Sequence, residues 1–314
     1  MLPIAFTERL SRIIPTQILD SVYQSFVASP ATGFRINTLR TTTEAVYVAL
    51  QASGIQFHRV DWYPLGFWVL PEDRARLLSH PVYHQQWIYV QNLSSMVPAL
   101  ILEPQKGEQI LDLAAAPGSK TLQMAAMMQN TGTIAAVEVV RKRFFQLQAN
   151  LKAQGATNVR TFLKDGTTIW RHRPNFFDRV LIDAPCATEA RFREEAPETF
   201  RYWSLRKVRE MAWKQNQLLH SAIRCARPGG TIVYSTCSYA PEENEAVLDA
   251  ALRHFEGIIS IEPLTVHFSN TQPALHTWEG NIFLPEVRHA VRILPTPQME
   301  GFFVAKIRKH LPTD

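Results

Sequence analysis

The first ninety residues combine helical and strand-like patterns of apolar positions. Residues 1–30 predict helix, and Thr41 with Glu44 forms a capping-box pattern that opens a further helix, which ends at Gly54. Between and after these helices, apolar and polar residues alternate, as is typical of half-buried strands. The predicted strands are 34–40, 55–62 and 66–70. The pattern therefore predicts a small α+β module over residues 1–90.

From residue 91 onward, short apolar segments alternate with longer helical ones. Strands are predicted at 109–113, 133–138, 159–163, 179–183 and 231–235, and helices at 119–129, 140–155 and 205–225. This alternation is typical of an α/β fold with a doubly wound, Rossmann-like parallel sheet. We predict that residues 91–314 form this second, larger domain. In such a sheet, ligands bind outside the carboxyl ends of the strands.

Two of the three cysteines follow predicted strands of this sheet. Cys186 comes after the strand 179–183, and Cys237 comes after the strand 231–235. Because the carboxyl ends of parallel strands share one edge, we expect both thiols to face one pocket. A thiolate there is the natural nucleophile for activating an electron-poor ring. Cys225 lies inside the predicted helix 205–225 and is interpreted as a small buried hydrophobe.

A loop of small residues, 112–121, joins the first strand of the sheet to its helix. Small side chains let a ligand approach the backbone, and free amides at the helix start accept negative charge. The loop lacks the three spaced glycines of the dinucleotide fingerprint and is not a P-loop. Glu138 and Asp165 end the second and third strands, where acids can accept hydrogen bonds from ribose hydroxyls and an adenine amine. This combination favours S-adenosylmethionine over NAD as the cofactor.

The composition adds only weak limits. The 314 residues are 46% apolar and 19% charged, with 33 basic and 28 acidic residues and a formal charge of +5, which is compatible with nucleic acid. Three cysteines without ligand spacing imply neither a disulfide framework nor a metal site. No signal peptide and no apolar run near the roughly 20 residues of a membrane span is recognised. We therefore expect a soluble, cytoplasmic protein that does not bind membranes.

Several motifs resemble one family in unbroken order from about residue 34 to 309. The matching stretches are 35–39, 91–96, 111–121, 183–186, 227–230, 235–238, 242–245 and 301–305. The chain resembles the RNA (cytosine-5) methyltransferases of the RsmB/RsmF group, with the greatest likeness to its RsmF branch. The resemblance implies a methyltransferase domain at 91–314 and an RNA-positioning module at 1–90. It also implies transfer of a methyl group from S-adenosylmethionine to carbon 5 of a cytosine in RNA.

The resemblance implies a role for each matching residue. Cys237 matches the family's nucleophile, Cys186 the residue that helps to release the product, and Asp183 and Lys120 the groups beside the target base. The implied cofactor site consists of Ala114, Ala115, Ala116, Pro117, Gly118, Ser119, Lys120, Glu138, Arg143, Asp165 and Asp183. The implied RNA contacts are Arg35 in the N-terminal module and Arg191 and Arg193 near Cys186.

The sequence departs from the family pattern at a few positions. After Pro185-Cys186 the family has Ser-Gly-Glu-Gly or a close variant, whereas this chain has Ala187-Thr188-Glu189-Ala190. The loss of both glycines removes the residues that adopt positive φ most easily. Glu300 stands where the family often has aspartate, and the additional C-terminal domains of RsmF-like proteins are not found within the 314 residues.

The implied chemistry explains these residue types. Carbon 5 of cytosine is a poor nucleophile until a thiolate adds at carbon 6. Cys237 should therefore have a pKa below the ordinary value of about 8.5, with Lys120 as a contributor to that shift. Asp183 could stabilise the charge that grows on the ring. The base must leave its stack, which favours a single-stranded or loop cytosine.

The partner and the substrate are left partly open. The basic and aromatic stretch 201–214 is either an RNA-binding surface or a solvated helix face with Trp203 and Trp213 buried. Ribosomal RNA is the favoured substrate, with transfer RNA possible, and a monomer is expected. A DNA cytosine methyltransferase that uses Cys186 as nucleophile, and a non-catalytic RNA-binding factor, are the alternatives.

Overall fold

The N-terminal part of the chain forms short helices around a small antiparallel sheet. The computed structural model describes residues 1–264, 266 and 268–313. The N-terminal elements are α1 (Ile4–Ile13), α2 (Thr16–Gln24), β1 (Thr32–Ile36), α3 (Thr43–Ala52), β2 (Phe57–Val60), β3 (Tyr63–Val69), α4 (Arg74–Ser79), α5 (Pro81–His84) and β4 (Ile88–Val90). The four strands are ordered β2-β3-β1-β4.

Two local predictions for this part were wrong. The strand predicted at 34–40 is instead β1, which ends at Ile36, and all five of its residues are buried, so both of its faces are covered. Helix α3 is capped by Thr42, whose side chain accepts a hydrogen bond from the Ala45 backbone, and not by Thr41. Both differences concern the boundaries of elements, which depend on pairing and capping geometry.

The rest of the chain builds a larger sheet covered by helices. Its elements are α6 (Leu93–Leu102), β5 (Gln109–Asp112), α7 (Ser119–Met127), β6 (Thr133–Glu138), α8 (Arg141–Gln154), β7 (Val159–Leu163), β8 (Phe177–Asp183), α9 (Leu205–Cys225), β9 (Ala226–Thr236), α10 (Glu245–His254), β10 (Ile259–Glu262), β11 (Thr271–Pro273), β12 (Thr277–Trp278), β13 (Asn281–Ile282), β14 (Val291–Ile293) and β15 (Phe302–Lys309). Short 3-10 turns lie at Pro71–Asp73, Gly166–Arg171, Glu189–Arg191, Pro197–Thr199 and Pro285–His289.

The topology of the large sheet decides where a ligand can bind. Strands β7-β6-β5-β8-β9 are parallel neighbours in that order, and β15, β14, β11 and β10 add antiparallel strands beyond β9. This confirms the predicted α/β, Rossmann-like fold. After β7 the chain crosses back to the other side of β5, so the strand order reverses between β5 and β8. Ligands bind at such a switch point.

The cores show how the two parts of the chain meet. One apolar cluster lies within residues 34–88 of the N-terminal module. The main cluster under the large sheet also contains residues of α1 and α2. Phe6 of α1, for example, packs 4.9 Å from Phe192, measured between ring centroids. The division at residue 90 stays a prediction, and within the described residues we find no helix long and apolar enough to span a membrane.

Candidate active site

Polar and nucleophilic residues follow the carboxyl ends of all five parallel strands. Asp112 ends β5, Glu138 ends β6, Asp183 ends β8, and Cys237 comes directly after β9. Asp165 follows β7 and caps the next turn. Because these ends lie along one edge of the sheet, the residues surround one region at the switch point.

The two cysteines at this edge are in direct contact. The sulfur atoms of Cys186 and Cys237 lie 3.3 Å apart. Cys237 is 8% exposed, and Cys186 is the more exposed of the two. Cys225 is fully buried in α9, as its position in the predicted helix indicated.

The surroundings distinguish the two thiols. The hydrogen bond with Cys186 lowers the pKa of Cys237, and Arg191 adds to this effect, while burial, Asp183 and Glu300 oppose it. The same hydrogen bond raises the pKa of Cys186, together with burial and the nearby Glu243 carboxyl group. These opposite shifts make Cys237 the thiol of the pair that ionises more easily, and Cys186 the better hydrogen-bond donor.

Lys120 forms an ion pair with Asp183 at the end of β8. Its ammonium lies 2.6 Å from Asp183 Oδ2 and also donates to Ser95 Oγ at 2.6 Å. Ser235 donates to the other carboxylate oxygen at 3.1 Å. Lys120 is thus paired with Asp183, and Arg191 is the cation with the largest effect on the pKa of Cys237. A contribution of Lys120 to that pKa stays a prediction.

The loop after β5 is held open by backbone contacts to its neighbours. Ala115 donates its amide to Val137 of β6 at 2.9 Å, and Arg143 of α8 donates to the carbonyl of Ala116. Gly118 has φ 109°, and a Cβ at this position would lie 2.9 Å from Leu147, so only glycine fits without displacement. The small residues leave the backbone accessible to a ligand at the end of β5.

Two acids face this loop from the neighbouring strands. Glu138 is buried, accepts the Val140 amide at 2.7 Å and lies 3.5 Å from an Arg143 nitrogen. Asp165 is exposed and uses only Oδ1 in its contacts with Thr167. Gly166 packs against the carbonyl of Leu113, which brings Asp165 beside the loop after β5.

These residues fit S-adenosylmethionine. Asp112 is buried, its Oδ1 has no hydrogen-bond partner among the described residues, and burial raises its pKa to about 7. Asp112, together with Glu138, Asp165 and Asp183, lies around the loop after β5. Carboxyl groups in these positions can accept hydrogen bonds from the hydroxyl and amine groups of S-adenosylmethionine and suit its positive charge. Which individual residues bind the cofactor stays a prediction that rests on the resemblance.

The three arginines predicted to contact RNA lie in different settings. Arg35 is 1% exposed and donates to Gln91 Oε1 at 2.9 Å, so the structure contradicts a surface contact with RNA. Its side chain lies on the covered face of β1, which no local pattern reveals. Arg191 and Arg193 both lie near Glu300, at 3.4 Å and 3.7 Å, in the loop that follows Cys186.

The loop that departs from the family pattern is anchored by two buried acids. Glu189 accepts from Trp203 Nε1, Ser238 Oγ and the amides of Tyr239 and Ala240. Glu243 accepts the Ala187 amide. Of the two positions where the family has glycine, Thr188 has φ 55° and Ala190 does not have positive φ.

Ser95 and Glu243 belong to the site although their roles could not be predicted from the sequence. Ser95 is 25 residues from Lys120, and Glu243 is 56 residues from Ala187, so no local spacing connects either pair. The only signal in the sequence was that both lie in stretches that resemble the family, without a stated role.

The Rossmann-like sheet, the loop after β5 and the acids at the following strand ends define the class as a methyltransferase. A family model described as 16S rRNA methyltransferase RsmB/F matches residues 99–308, and one for the N-terminal domain of 16S rRNA methyltransferase RsmF matches residues 2–93. The chain therefore belongs to the RsmB/F family of methyltransferases. This confirms the predicted family, and family and fold together confirm S-adenosylmethionine as the cofactor.

Curated relatives agree with the family models. Ribosomal RNA small subunit methyltransferase F of Aeromonas salmonicida is 34% identical over 321 residues, and the protein of the same name from Vibrio vulnificus (strain YJ016) is 35% identical over 313 residues. Each match covers 98% of this chain and 64% of the relative. The chain thus spans less than two thirds of the length of these relatives.

Solved structures share the fold. A methyltransferase homolog protein from Pyrococcus horikoshii is 31% identical with a TM-score of 0.79, and the match covers 98% of this chain and 100% of that one. The structure of NSun6 from Pyrococcus horikoshii with SFG has a TM-score of 0.82 at 21% identity, with 98% of each chain covered. The second likeness supports the fold alone.

Proposed function

We propose that this chain transfers a methyl group from S-adenosylmethionine to carbon 5 of a cytosine in RNA through a covalent adduct on Cys237. The observation that carries the proposal is the contact of 3.3 Å between the sulfurs of Cys186 and Cys237, beside the ion pair of Lys120 and Asp183. The family and the names of the relatives favour ribosomal RNA as the substrate.

Cys237 is the better nucleophile of the two thiols. Its thiolate form is favoured by the S–H of Cys186 and by Arg191. Addition of this thiolate to carbon 6 makes carbon 5 nucleophilic. The cofactor supplies an electrophilic methyl group. The carbon-5 proton then passes to a water molecule acting as base, the electrons of that C–H bond form the C5–C6 double bond, and the Cys237 thiolate leaves, which restores the aromatic ring.

Cys186 is suited to the last step. Its sulfur contacts the sulfur that must leave, and its proton can be donated in a hydrogen bond to the returning thiolate. A DNA methyltransferase that uses Cys186 as nucleophile is less compatible with this arrangement, because the hydrogen bond with Cys237, burial and Glu243 raise the pKa of that thiol.

Asp183 and Lys120 form the polar wall beside the thiols. One Asp183 oxygen is held by Lys120 and the other by Ser235, which fixes the carboxylate in one orientation. About a third of the Asp183 side chain remains exposed, so it can accept a hydrogen bond from the exocyclic amine of a cytosine.

Arg193 is proposed to contact the RNA backbone at the rim.

The cofactor is proposed to lie along the loop after β5. The residues that would hold it are Ala114 to Lys120 in the loop, with Glu138, Arg143, Asp165 and Asp183 around it. Asp165 would accept from the adenine amine through Oδ2, which makes no contact with Thr167.

The first test uses tritium transfer from the labelled methyl donor to unmethylated ribosomal RNA. We expect Cys237→Ala to abolish 5-methylcytosine formation and Cys186→Ala to trap a covalent protein–RNA adduct that survives denaturing electrophoresis. Cys225→Ala is the matched control, because Cys225 is buried away from the site, and it should retain turnover. Turnover by the Cys237 variant would refute the assignment of the nucleophile.

The same assay separates the substrates and the alternatives. Transfer RNA and DNA are offered in parallel with ribosomal RNA at equal cytosine concentration. If only transfer RNA or only DNA is methylated, that nucleic acid is the substrate, and the proposal of ribosomal RNA is wrong. Tight RNA binding without methyl transfer to any of them would identify a non-catalytic RNA-binding factor.

A further inference from the structure

The turn that carries Arg191 is anchored on the nucleophile itself. The amide of Ala190 donates to the carbonyl of Cys237 at 3.1 Å, and the amide of Arg191 donates to Thr188 at 2.9 Å to close the turn. Arg191 is therefore the residue directly after a backbone contact with Cys237. These main-chain hydrogen bonds place the backbone of Arg191 beside that of Cys237, and its side chain is 54% exposed.

An acid on the opposite wall orients the guanidinium. Arg191 Nε lies 3.4 Å from Glu300 Oε2. Glu300 precedes Gly301, where a Cβ would lie 2.2 Å from the hydroxyl of Tyr239, so this segment packs directly on the chain that leaves Cys237. The ion pair thus bridges the two segments that flank the nucleophile.

The charges that face Cys237 come from three places in the fold. Asp183 stands at the end of β8, Glu300 precedes β15, and Cys186 and Arg191 belong to the loop after β8. Both acids oppose ionisation of Cys237, and Lys120 is paired with Asp183. Arg191 is then the cation that can offset the two acids at the thiolate. The interaction is mutual, because Cys237 is also the largest cause of the raised pKa of Arg191.

We propose that Arg191 stabilises the thiolate of Cys237 and thereby sets the pH range in which the nucleophile is ready to react. This deepens the proposed function, on which its catalytic meaning rests. Arg191 acts through Cys237 and is a positioning residue in that sense. The role replaces the RNA contact that the sequence suggested for Arg191.

The test measures the ionisation of Cys237 directly in the full chain, without RNA or methyl donor. The rate of alkylation by iodoacetamide is followed between pH 5 and 10, and the modified cysteine is located by tandem mass spectrometry. We expect Arg191→Gln to raise the midpoint for Cys237 by about one pH unit, so that alkylation below both midpoints is roughly tenfold slower. Arg191→Lys keeps a positive charge and should shift the midpoint less.

Arg193→Gln is the matched control. Arg193 also lies near Glu300, but it is not among the main influences on Cys237, so its loss should leave the midpoint unchanged. A midpoint in Arg191→Gln equal to that of the unaltered chain would overturn the proposal, as would an equal shift in Arg193→Gln. Weaker RNA binding by Arg191→Gln with an unshifted midpoint would instead identify a phosphate contact and also overturn it.

The proposal and the proposed function fail in different ways. If the unaltered chain methylates no RNA, the proposed function fails, while the alkylation midpoint still decides the role of Arg191. If methylation occurs, the acidic limb of the pH profile of kcat/KM, which reports the free enzyme, should move upward in Arg191→Gln by the same amount as the alkylation midpoint. An unmoved acidic limb would contradict the role of Arg191 in the reaction.

Discussion

Thr188 adopts a left-handed backbone conformation, with φ 55°, between the two reactive cysteines. A β-branched residue rarely adopts this conformation, because its side chain crowds the backbone. The family has glycine at this position and at that of Ala190, yet Ala190 does not have positive φ. Of the two positions that lack glycine, only Thr188 therefore bears the cost of a positive φ.

The first prediction at this scale concerns the stability of the loop. Glycine normally destabilises a protein relative to alanine, but at positive φ the order should reverse. We expect Thr188→Gly to have a free energy of unfolding about 1 kcal/mol higher than that of Thr188→Ala. The measurement is chemical denaturation of both variants under identical conditions.

Ala190 supplies the matched control for this prediction. It is buried in the 3-10 turn without positive φ, so Ala190→Gly should lower the free energy of unfolding. If Thr188→Gly is less stable than Thr188→Ala, the left-handed conformation of Thr188 is not the one that the protein adopts in solution.

At the scale of elements, a buried pair of acids joins the loop after β8 to β9 and α9. Ser238 Oγ lies 3.0 Å from Glu189 Oε2 and 2.8 Å from Glu243 Oε1, but a hydroxyl has a single proton to donate. Glu189 accepts from three further N–H groups, which favours its charged form. Burial raises the pKa of both acids, and that of Glu243 to about 8, so we expect Glu243 to be the acid that holds a proton and donates it to Ser238.

The pH dependence of stability follows from this arrangement. The pKa of Glu243 rises from 4.5 to about 8 on folding, so between these values the folded chain binds more protons than the unfolded one. The free energy of unfolding therefore falls as the pH rises through this window, by roughly 2–4 kcal/mol for this group. Glu243→Gln mimics the protonated acid and should make the fall shallower. Asp112, with its pKa of about 7, leaves a residual slope.

Glu189→Gln is the contrasting variant. The new amide nitrogen of this variant would face N–H or O–H groups that themselves donate to Glu189. These buried donors would lose their acceptor, which should lower the free energy of unfolding by about 1–3 kcal/mol at every pH. Denaturation curves between pH 5 and 8.5 provide the measurement. Equal destabilisation by both variants, with an unchanged pH slope, would show that the proton does not reside on Glu243.

On the scale of the whole molecule, the exposed side of α9 is a candidate surface for RNA. Trp213 is 64% exposed and Tyr202 is also exposed, which contradicts the interpretation of Trp213 as a buried residue. Arg206 and Arg209 are exposed and share a helix face with Trp213 by their spacing of three and four residues. Basic groups with aromatic rings between them suit a single-stranded RNA backbone and its unstacked bases.

The prediction at this scale is a loss of RNA affinity without a loss of stability. Trp213→Ala should weaken binding of a short single-stranded RNA by about fivefold or more, because stacking on an aromatic ring contributes about 1–3 kcal/mol per base. Fluorescence anisotropy measures the affinity, and the thermal unfolding midpoint should not change. Val48→Ala, which alters an exposed apolar residue of α3, is the control and should bind like the unaltered chain. Equal affinities for the two variants would leave α9 as a solvated helix.

Most of the large sheet could be predicted because its signals are local. The bounds of β6, β7 and α9 agree with the patterns of apolar residues, and the acids at the strand ends follow from parallel pairing. The antiparallel strands after β9 were not predicted. Arg35 was misjudged because its sequence neighbours do not show that β1 is covered on both faces.

By itself, the sequence determined which chemical groups reach the carboxyl edge of the sheet, since periodicity and chain order place Asp112, Glu138, Asp183 and Cys237 there. The pKa values of Asp112 and Cys237 follow from the fold alone, because they depend on burial and on neighbours that are distant in the chain. Arg191 and Glu300 flank Cys237 across more than a hundred residues of sequence, and Glu243 approaches the loop after Cys186 from beyond β9. The charge state of a group depends on its surroundings in the folded protein, whereas the identity of the reactive atoms can be predicted from the sequence.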